Sequence, residues 1–544
     1  MTASSRAAPP SEFLPKIFTV LSEGYGWRAL RADALAGLTV AIVALPLSMA
    51  IAIASGVGPE RGLYTTIVGG FLVSLLGGSR YQIGGPAGAF IVLVSACVLA
   101  TGVEGLVLAT FLSGLMLMAA GGLRLGTYIR FIPYPVTVGF TAGIAVIIFA
   151  SQIRDLLGLR LAGPEPAEII AKLGALWAVR DTVTPAAPLV ALGVIAVIQG
   201  VKRWRPGWPG MLLAVALASA VVAGLGLPVQ TVGTTFGALP RVPPAPALPA
   251  LDMARLLAAL PWALSFTLLG AIESLLSAVV ADGMSGRQHR SNAELVAQGA
   301  ANVGSALFGG FCVTGTIART ATNVRAGSQG PVSGMLHALF VLGFMLLAAP
   351  LAGFIPLAAL AGVLAVVAWN MAEKEEFWQL IRSSRADALV LVVTFLLVVF
   401  RDLTEGIVAG FALGGLVFIR RMSEATEMAG EDMPVATTDG TRVICRLNGP
   451  WFFGAAARLG SVLDRIADRP RDFVLDLTDV PLIDSSGARS FLLLARKMAR
   501  REGRFIILGA RPALRLVLEG QGLVPPLVIY LPDRVALSPN GAEG

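Results

Sequence analysis

Residues 34–54 read ALAGLTVAIVALPLSMAIAIA, a run without a single charged side chain. About 20 apolar residues, at 1.5 Å of rise each, cross the roughly 30 Å of hydrocarbon in a bilayer, so this stretch predicts a membrane-spanning helix. Its one irregularity is Pro46, which cannot donate the usual helical hydrogen bond and so predicts a kink. Working outward from it, runs of the same kind recur as far as Arg420. Fourteen candidate spans begin near residues 34, 63, 87, 105, 134, 186, 209, 260, 296, 316, 331, 353, 386 and 404. A chain of 544 residues that is 55% apolar, 14% charged and has a mean hydropathy of +0.76 is excluded from being one water-soluble fold. It reads as a polytopic α-helical membrane protein.

The net charge of +8 and pI near 9.8 need not imply nucleic acid, because cytoplasmic loops of membrane proteins are rich in Lys and Arg. With the N-terminus inside, the inner connections hold 16 basic residues, from Arg28 and Arg31 to Arg420 and Arg421, and the outer ones hold 8. Both termini are therefore expected in the cytoplasm, and no nucleic-acid partner is expected. Cys97, Cys312 and Cys445 are widely spaced, and His289 and His337 form no ligand pair, so neither a disulfide framework nor a metal cluster is expected. MTASSRAAPP at the start lacks the apolar centre of a signal peptide, which leaves targeting to the first span. Between residues 11 and 30, Phe13, Leu14, Ile17, Phe18 and Leu21 recur at helical spacing. This predicts either a short helix at the membrane surface or a buried cap.

Several spans are too short to cross alone. The pieces after Gly85-Pro86 and after Thr314-Gly315-Thr316 are broken by Gly, Pro and polar residues, as half-helices buried in protein are. Pro46 and Glu273 lie 227 residues apart, and Pro86 and Arg319 lie 233 apart. These near-equal offsets predict a 7+7 inverted repeat, the plan that places a substrate site near the bilayer midplane. After Arg421 the composition turns polar. The expected divisions are 1–30 as an N-terminal cytoplasmic or interfacial segment, 31–421 as the transmembrane domain, 422–440 as a linker and 441–544 as a small cytoplasmic α/β domain. In that domain 441–447, 472–477 and 505–510 are predicted strands, and 454–468 and 490–502 predicted helices. Disorder is expected over the last ten or so residues.

Four segments, RADALAGLTVAIVALPLSMAIAIASGVGPERGLYT (31–65), YQIGGPAGAFIVLV (81–94), TGTIARTATNVRAGSQGP (314–331) and DLTDVPLIDSSGARSFL (476–492), together resemble the sulfate permease (SulP) family of anion transporters. The resemblance implies a uracil-permease-type fold of fourteen segments with a moving core and a gate, and a C-terminal STAS domain. It also implies elevator-like or rocking alternating access and a homodimer. In that family the anion sits between the facing N-termini of the third and tenth segments. Helix N-termini suit an anion because they present unpaired N–H groups and about half a positive charge. Ala87, Gly88 and Ala89 would let a ligand reach the backbone at one end, with Phe90 as a wall. Thr316, Ile317, Ala318 and Arg319 stand at the other.

An Arg at membrane depth rarely faces lipid, and its planar fork suits oxyanions, so Arg319 is expected to bind substrate. The alternative is a permanent ion pair, for example with Glu273. Glu273, in LLGAIESLLSAVV (268–280), is the acid of a long apolar span, with Ser277 one turn on along the same face. The pair suggests a Na+ site, as an acid and a hydroxyl serve at the matching positions of bicarbonate-transporting relatives; alternatively Glu273 takes a proton. The first span has no acid between Asp33 and Glu60, so a proton site found there in some relatives is missing. Ser48, beside Pro46, offers a hydroxyl, or simply packs. Asn323 and Arg325 continue the motif, Arg325 as a positive-inside anchor. In the tail, Ser485 and Ser486 match a motif phosphorylated in anti-sigma-factor antagonists, and a plain helix cap is the alternative.

These residues predict secondary active transport of sulfate, bicarbonate or a C4-dicarboxylate across the inner membrane, coupled to Na+ or H+. The STAS domain is expected to have cytoplasmic partners of its own. An exchanger, a channel-like conductor or a membrane-anchored STAS regulator are the other readings. No phosphate-cradling Gly-Lys loop and no nucleophile–base pair suggests an enzyme, and no cofactor beyond a coupling ion is expected.

Overall fold

The computed structural model describes residues 12–129, 133–163, 165–166, 168–205, 208–401, 403–429, 435–436, 442–449, 451, 472–500 and 502–532. Two compact units divide the chain, Met1–Phe411 and Ala412–Gly544, the division falling inside the helix Leu403–Ala429. That helix runs eight residues past Arg421, into the stretch read above as linker.

In the first unit every expected span has a helical counterpart. The first is Trp27–Ala54, which starts seven residues before Ala34 because the Trp27–Asp33 turn continues the same helix. The second is composite: Pro59–Tyr64, a π-turn at Thr65–Gly69, and Gly70–Leu76. A 3-10 turn, Gly88–Phe90, leads into Ile91–Gly122, which breaks at Gly102. There φ is 74° and ψ 179°, a conformation open in practice only to glycine, so the two expected spans near 87 and 105 meet at that bend. Tyr134–Leu157, Ala186–Trp204 and Gly210–Leu225 complete the first half. The second half comprises Met253–Ser285, Ser291–Leu307, Ile317–Arg325, Val332–Ala352, Leu357–Met371, Arg385–Phe400 and Leu403–Ala429. Among the described residues, eight helices are long and apolar enough to cross a membrane. The others are shorter, among them Ile317–Arg325, the expected half-helix after Thr314-Gly315-Thr316.

Segments one to four pack mainly with eight to eleven, and five to seven with twelve and thirteen, giving two bundles. Small residues permit the closest approaches. A Cβ on Gly114 of the fourth segment would lie 2.7 Å from the Gly299 carbonyl of the ninth, so the two backbones meet there without side chains between them. The repeat shows directly where the two halves touch. β1 (Gly84–Gly85) pairs antiparallel with β2 (Thr314–Gly315), Gly84 opposite Gly315 and Gly85 opposite Thr314. A two-fold axis through this pair relates residue 84 to 314, an offset of 230 that falls between the two read from the sequence.

The second unit carries a five-stranded sheet in sequential order. β3 (Val435–Ala436) is antiparallel to β4 (Arg442–Asn448), and β4, β5 (Asp472–Asp479), β6 (Arg504–Leu508) and β7 (Ile529–Leu531) run parallel. β5 is buried on both faces from Asp472 to Leu477, as a central parallel strand is. The helix predicted at 490–502 begins earlier, spanning Ser485–Ala499, because Asp484 caps it by accepting a 2.6 Å bond from the Gly487 N–H. The helix predicted at 454–468 and the C-terminal tail lie outside the described residues.

Candidate functional site

The short β1–β2 pair holds two chain breaks side by side near the middle of the first unit. After β1 the chain turns at Pro86 and Ala87 into Gly88–Phe90; after β2 it turns at Thr316 into Ile317–Arg325. The Thr316 N–H donates to the Ile83 carbonyl at 3.0 Å, and the Ile83 N–H donates to Thr320 Oγ1 at 3.1 Å. The start of the tenth-segment half-helix is thereby tied twice to Ile83, the residue before β1. The expected residues from both breaks come together here. Gly88 and Ile317 are partly accessible and Ala318 is exposed, whereas Ala87, Ala89, Phe90 and Thr316 are buried. The ring of Phe90 lies against that of Phe266, tilted by 58° with ring centres 6.0 Å apart.

Arg319 is 2% exposed and lies under this pair. Its Nη2 donates to Ser48 Oγ at 3.1 Å and to the Pro86 carbonyl at 3.4 Å, while Nε and Nη1 are buried without a partner among the described residues. Gly85 makes room for the guanidinium: a Cβ there would fall 2.0 Å from Nη1. Ser48 lies two residues after Pro46 in the first-span helix, its hydroxyl bonded to the Ala44 carbonyl at 2.6 Å and to Thr66 Oγ1 at 2.7 Å. Thr66 belongs to the π-turn of the second segment, an irregularity often found at functional sites. The Ser48 hydroxyl therefore does more than pack.

The ion pair weighed for Arg319 and Glu273 does not form. Among the described residues no carboxylate lies within ion-pair distance of Arg319, and no hydrogen bond joins it to Glu273. Glu273 is 6% exposed on the eighth segment. One turn on, Ser277 Oγ donates to Thr320 Oγ1 at 3.0 Å, which leaves both Ser277 lone pairs free and connects the eighth segment to the tenth. A carboxylate and a hydroxyl on adjacent turns form a donor set compatible with a hard cation such as Na+. Among the described residues no group of three or more His, Cys, Asp and Glu gathers as a metal cluster would.

Two contributors, Gln82 and Asp33, went unnoticed in the sequence. Gln82 Nε2 donates to Ser274 Oγ at 3.0 Å and lies where a Gly315 side chain would be, which explains the glycine of Thr314-Gly315-Thr316. Its signal was an amide inside an otherwise apolar and glycyl motif. Asp33, buried at the start of the first span, accepts from the N–H groups of Gln329 and Gly330 and from Ser328 Oγ with one oxygen, and from Tyr25 with the other. It clamps the loop below the tenth segment. Asn323 donates at 2.9 Å both to the Tyr81 carbonyl and to Ser333 Oγ, carrying the motif on toward that loop. Arg325 is exposed. In the second unit Ser485 and Ser486 are exposed in the first turn of their helix, and Asp484 supplies the cap. A cavity of about 870 Å³ opens elsewhere, beside Arg61, Glu104 and Arg255, and none of the expected site residues lines it.

Residues 30–394 match the Sulfate permease family, and residues 432–531 match the STAS domain. The chain belongs to the sulfate permease family. It is thus a multi-pass membrane protein and an anion transporter, not an enzyme. It is 41% identical over 513 residues to the Bacillus subtilis protein named "Putative sulfate transporter YvdB", covering 92% of this chain and 95% of that one. Among solved structures, the transmembrane domain of a cyanobacterium bicarbonate transporter, BicA, is 32% identical and superposes with a TM-score of 0.64, over 70% of this chain and 98% of that one. Murine Solute Carrier 26 family member A9, an anion transporter in the inward-facing state, superposes with a TM-score of 0.80 at 18% identity, over 96% of this chain and 93% of that one. The last likeness concerns the fold alone.

Proposed function

We propose that this protein is a secondary active transporter that takes up a small oxyanion, sulfate, bicarbonate or a C4-dicarboxylate, across a bacterial-type inner membrane with both termini in the cytoplasm. The observation that carries the reading is Arg319: a buried guanidinium with no acidic partner among the described residues and two unpartnered nitrogens, between two half-helix starts. Burying such a charge costs several kcal/mol unless something compensates it, and an arriving oxyanion would do so. Its negative charge would also meet the N–H groups beginning the two half-helices. The names of the relatives, one for sulfate and one for bicarbonate, support an inorganic oxyanion before a dicarboxylate.

Glu273 and Ser277 would take the coupling Na+, or Glu273 a proton. Both sit on the helix that Thr320 links to the anion site, which gives a physical route for one ion to sense the other. The two-bundle packing supports a core of segments one to four and eight to eleven that moves against a gate in an elevator-like cycle. Dimerisation, and cytoplasmic partners read through Ser485 and Ser486, belong to the same reading. A membrane-anchored regulator would have no use for an uncompensated cation at Arg319.

The test is uptake by purified protein in proteoliposomes, with labelled sulfate, bicarbonate, succinate and fumarate under imposed Na+ or H+ gradients. Accumulation of one anion driven by one cation is the expected result. Counterflow without accumulation would make the protein an exchanger, and gradient-following current alone would make it a conductor.

A further inference from the structure

The helix Lys16–Ser22 lies against the ends of the core segments through a cluster of cations. The Lys16 N–H donates to the Gly77 carbonyl at 2.9 Å. Arg290 donates to the Leu14 carbonyl at 2.5 Å and to Thr19 Oγ1 at 3.1 Å. Arg80, 8% exposed, is bonded to Glu23, and its Nε is buried without a partner. The Lys16 ammonium is held below its ordinary pKa first by burial and then by the charges of Arg290 and Arg80. Asp282, the next acid, already accepts from His289 Nδ1 at 2.6 Å. Three cations thus crowd together in a partly dehydrated setting, with Glu23 bonded to Arg80 and Asp282 the other carboxylate acting on Lys16. On the same stretch Phe13, Phe18, Leu21 and Trp27 are exposed, next to the exposed Arg28 and Arg31 at the foot of the first span.

We propose that Lys16, Arg80 and Arg290, with the exposed face of Phe13, Phe18, Leu21 and Trp27, form a site for an anionic phospholipid. The phosphodiester meets the cations and the acyl chains meet the apolar face. Charge complementarity selects the anionic headgroup, because a zwitterionic lipid brings its own cation to a place that already has an excess of them. The apolar residues select a lipid before a free phosphate, which would gain nothing from four exposed hydrophobic side chains. An amphipathic helix beginning a membrane protein, with Trp at its boundary, fits this interfacial position. The site depends on no choice of transported anion, and its test measures binding without transport.

The experiment uses the full chain purified in neutral detergent. Short-chain phosphatidylglycerol, phosphatidylcholine and inorganic phosphate are offered in turn, with retention read by native mass spectrometry and stabilisation by thermal unfolding. Phosphatidylglycerol is expected to be retained over phosphatidylcholine, and Lys16→Gln to lower that preference about fivefold, the effect of one basic residue at an anionic surface. Lys16 uses only its backbone in holding the helix, so its substitution spares the other bonds. The wild-type preference is also expected to collapse in high salt, a reading that needs no variant. Equal retention of the two lipids would overturn the proposal, as would stabilisation by inorganic phosphate matching that of the anionic lipid. So would a preference unmoved by salt or by Lys16→Gln in folded protein.

Discussion

Arg319 could be singled out in the sequence because a guanidinium inside an apolar stretch demands a reason, but its environment could not. Its reach to Ser48 spans 271 residues of sequence, and its space is the missing side chain of Gly85. Arg319→Ala should raise the KM for the transported oxyanion by about 10- to 150-fold, the range for losing hydrogen bonds to a charged group. Arg319→Lys should rescue only part of this, since an ammonium cannot reproduce the fork. Uptake kinetics on folded protein check both, and an unchanged KM in Arg319→Ala would remove the residue from the site. Gly85→Ala tests the same geometry without touching a charge. A Cβ 2.0 Å from Nη1 forces the guanidinium aside, so anion affinity should fall while the span still inserts. Retained affinity would mean that the position of Arg319 is not what binds.

Single helices were legible from their apolar runs, and the irregular elements only in part. Pro46, the Gly85-Pro86 break and the Thr314-Gly315-Thr316 break announced themselves, whereas the π-turn at Thr65–Gly69 has no such signature and appears only once Thr66 bonds Ser48. The eighth segment carries the proposed coupling. Glu273→Gln should leave anion binding in place and abolish the dependence of uptake on the cation gradient; accumulation still driven by the same gradient would leave Glu273 a structural residue. Below the tenth segment, the Asp33 carboxylate gathers the loop at Ser328–Gly330. Asp33→Asn puts an amide where both oxygens accept, and should destabilise this end by about 1–3 kcal/mol, read as a lower unfolding temperature. The N-terminal helix adds a pH dependence of defined sign. Its hydrogen bond to Arg80 holds the Glu23 carboxyl below the ordinary carboxylate range. The contribution is complete above that range and is lost as pH falls through the lowered value, so protection of residues 16–25 against hydrogen exchange, taken relative to the intrinsic rate at each pH, should fall in acid and stay level between pH 6 and 8. Protection lost on the alkaline side would contradict that origin.

For the molecule as a whole, the proposed cycle requires the two bundles to part. They meet at the site itself: a Cβ on Gly88 of the third segment would lie 3.0 Å from Ile148 Cδ1 of the fifth. In a background where Cys97, Cys312 and Cys445 are Ser, cysteines at 88 and 148 joined by a short bis-thiol reagent should stop uptake. The uncross-linked double variant sets the reference rate, since Gly88→Cys itself alters the anion site. Full transport by the cross-linked protein would exclude movement of these bundles against each other at this point.

Apolar run length and charge asymmetry, which report the energy of placing each residue in hydrocarbon, were enough to establish a polytopic membrane protein, its repeat offset and a polar C-terminal domain. Motif identity then pointed to Arg319, Glu273 and the two half-helix starts. Which of these touch was decided by tertiary structure alone. The offset of two repeats says that residues 84 and 314 are equivalent, but only the antiparallel β1–β2 pair brings them together. Likewise Arg319 and Glu273, two opposite charges in one membrane domain, might be paired on paper, and in the fold Arg319 bonds Ser48 and the Pro86 carbonyl instead. Contacts between residues more than 200 positions apart leave no trace in local periodicity, because they depend on how helices with interchangeable apolar faces choose their neighbours.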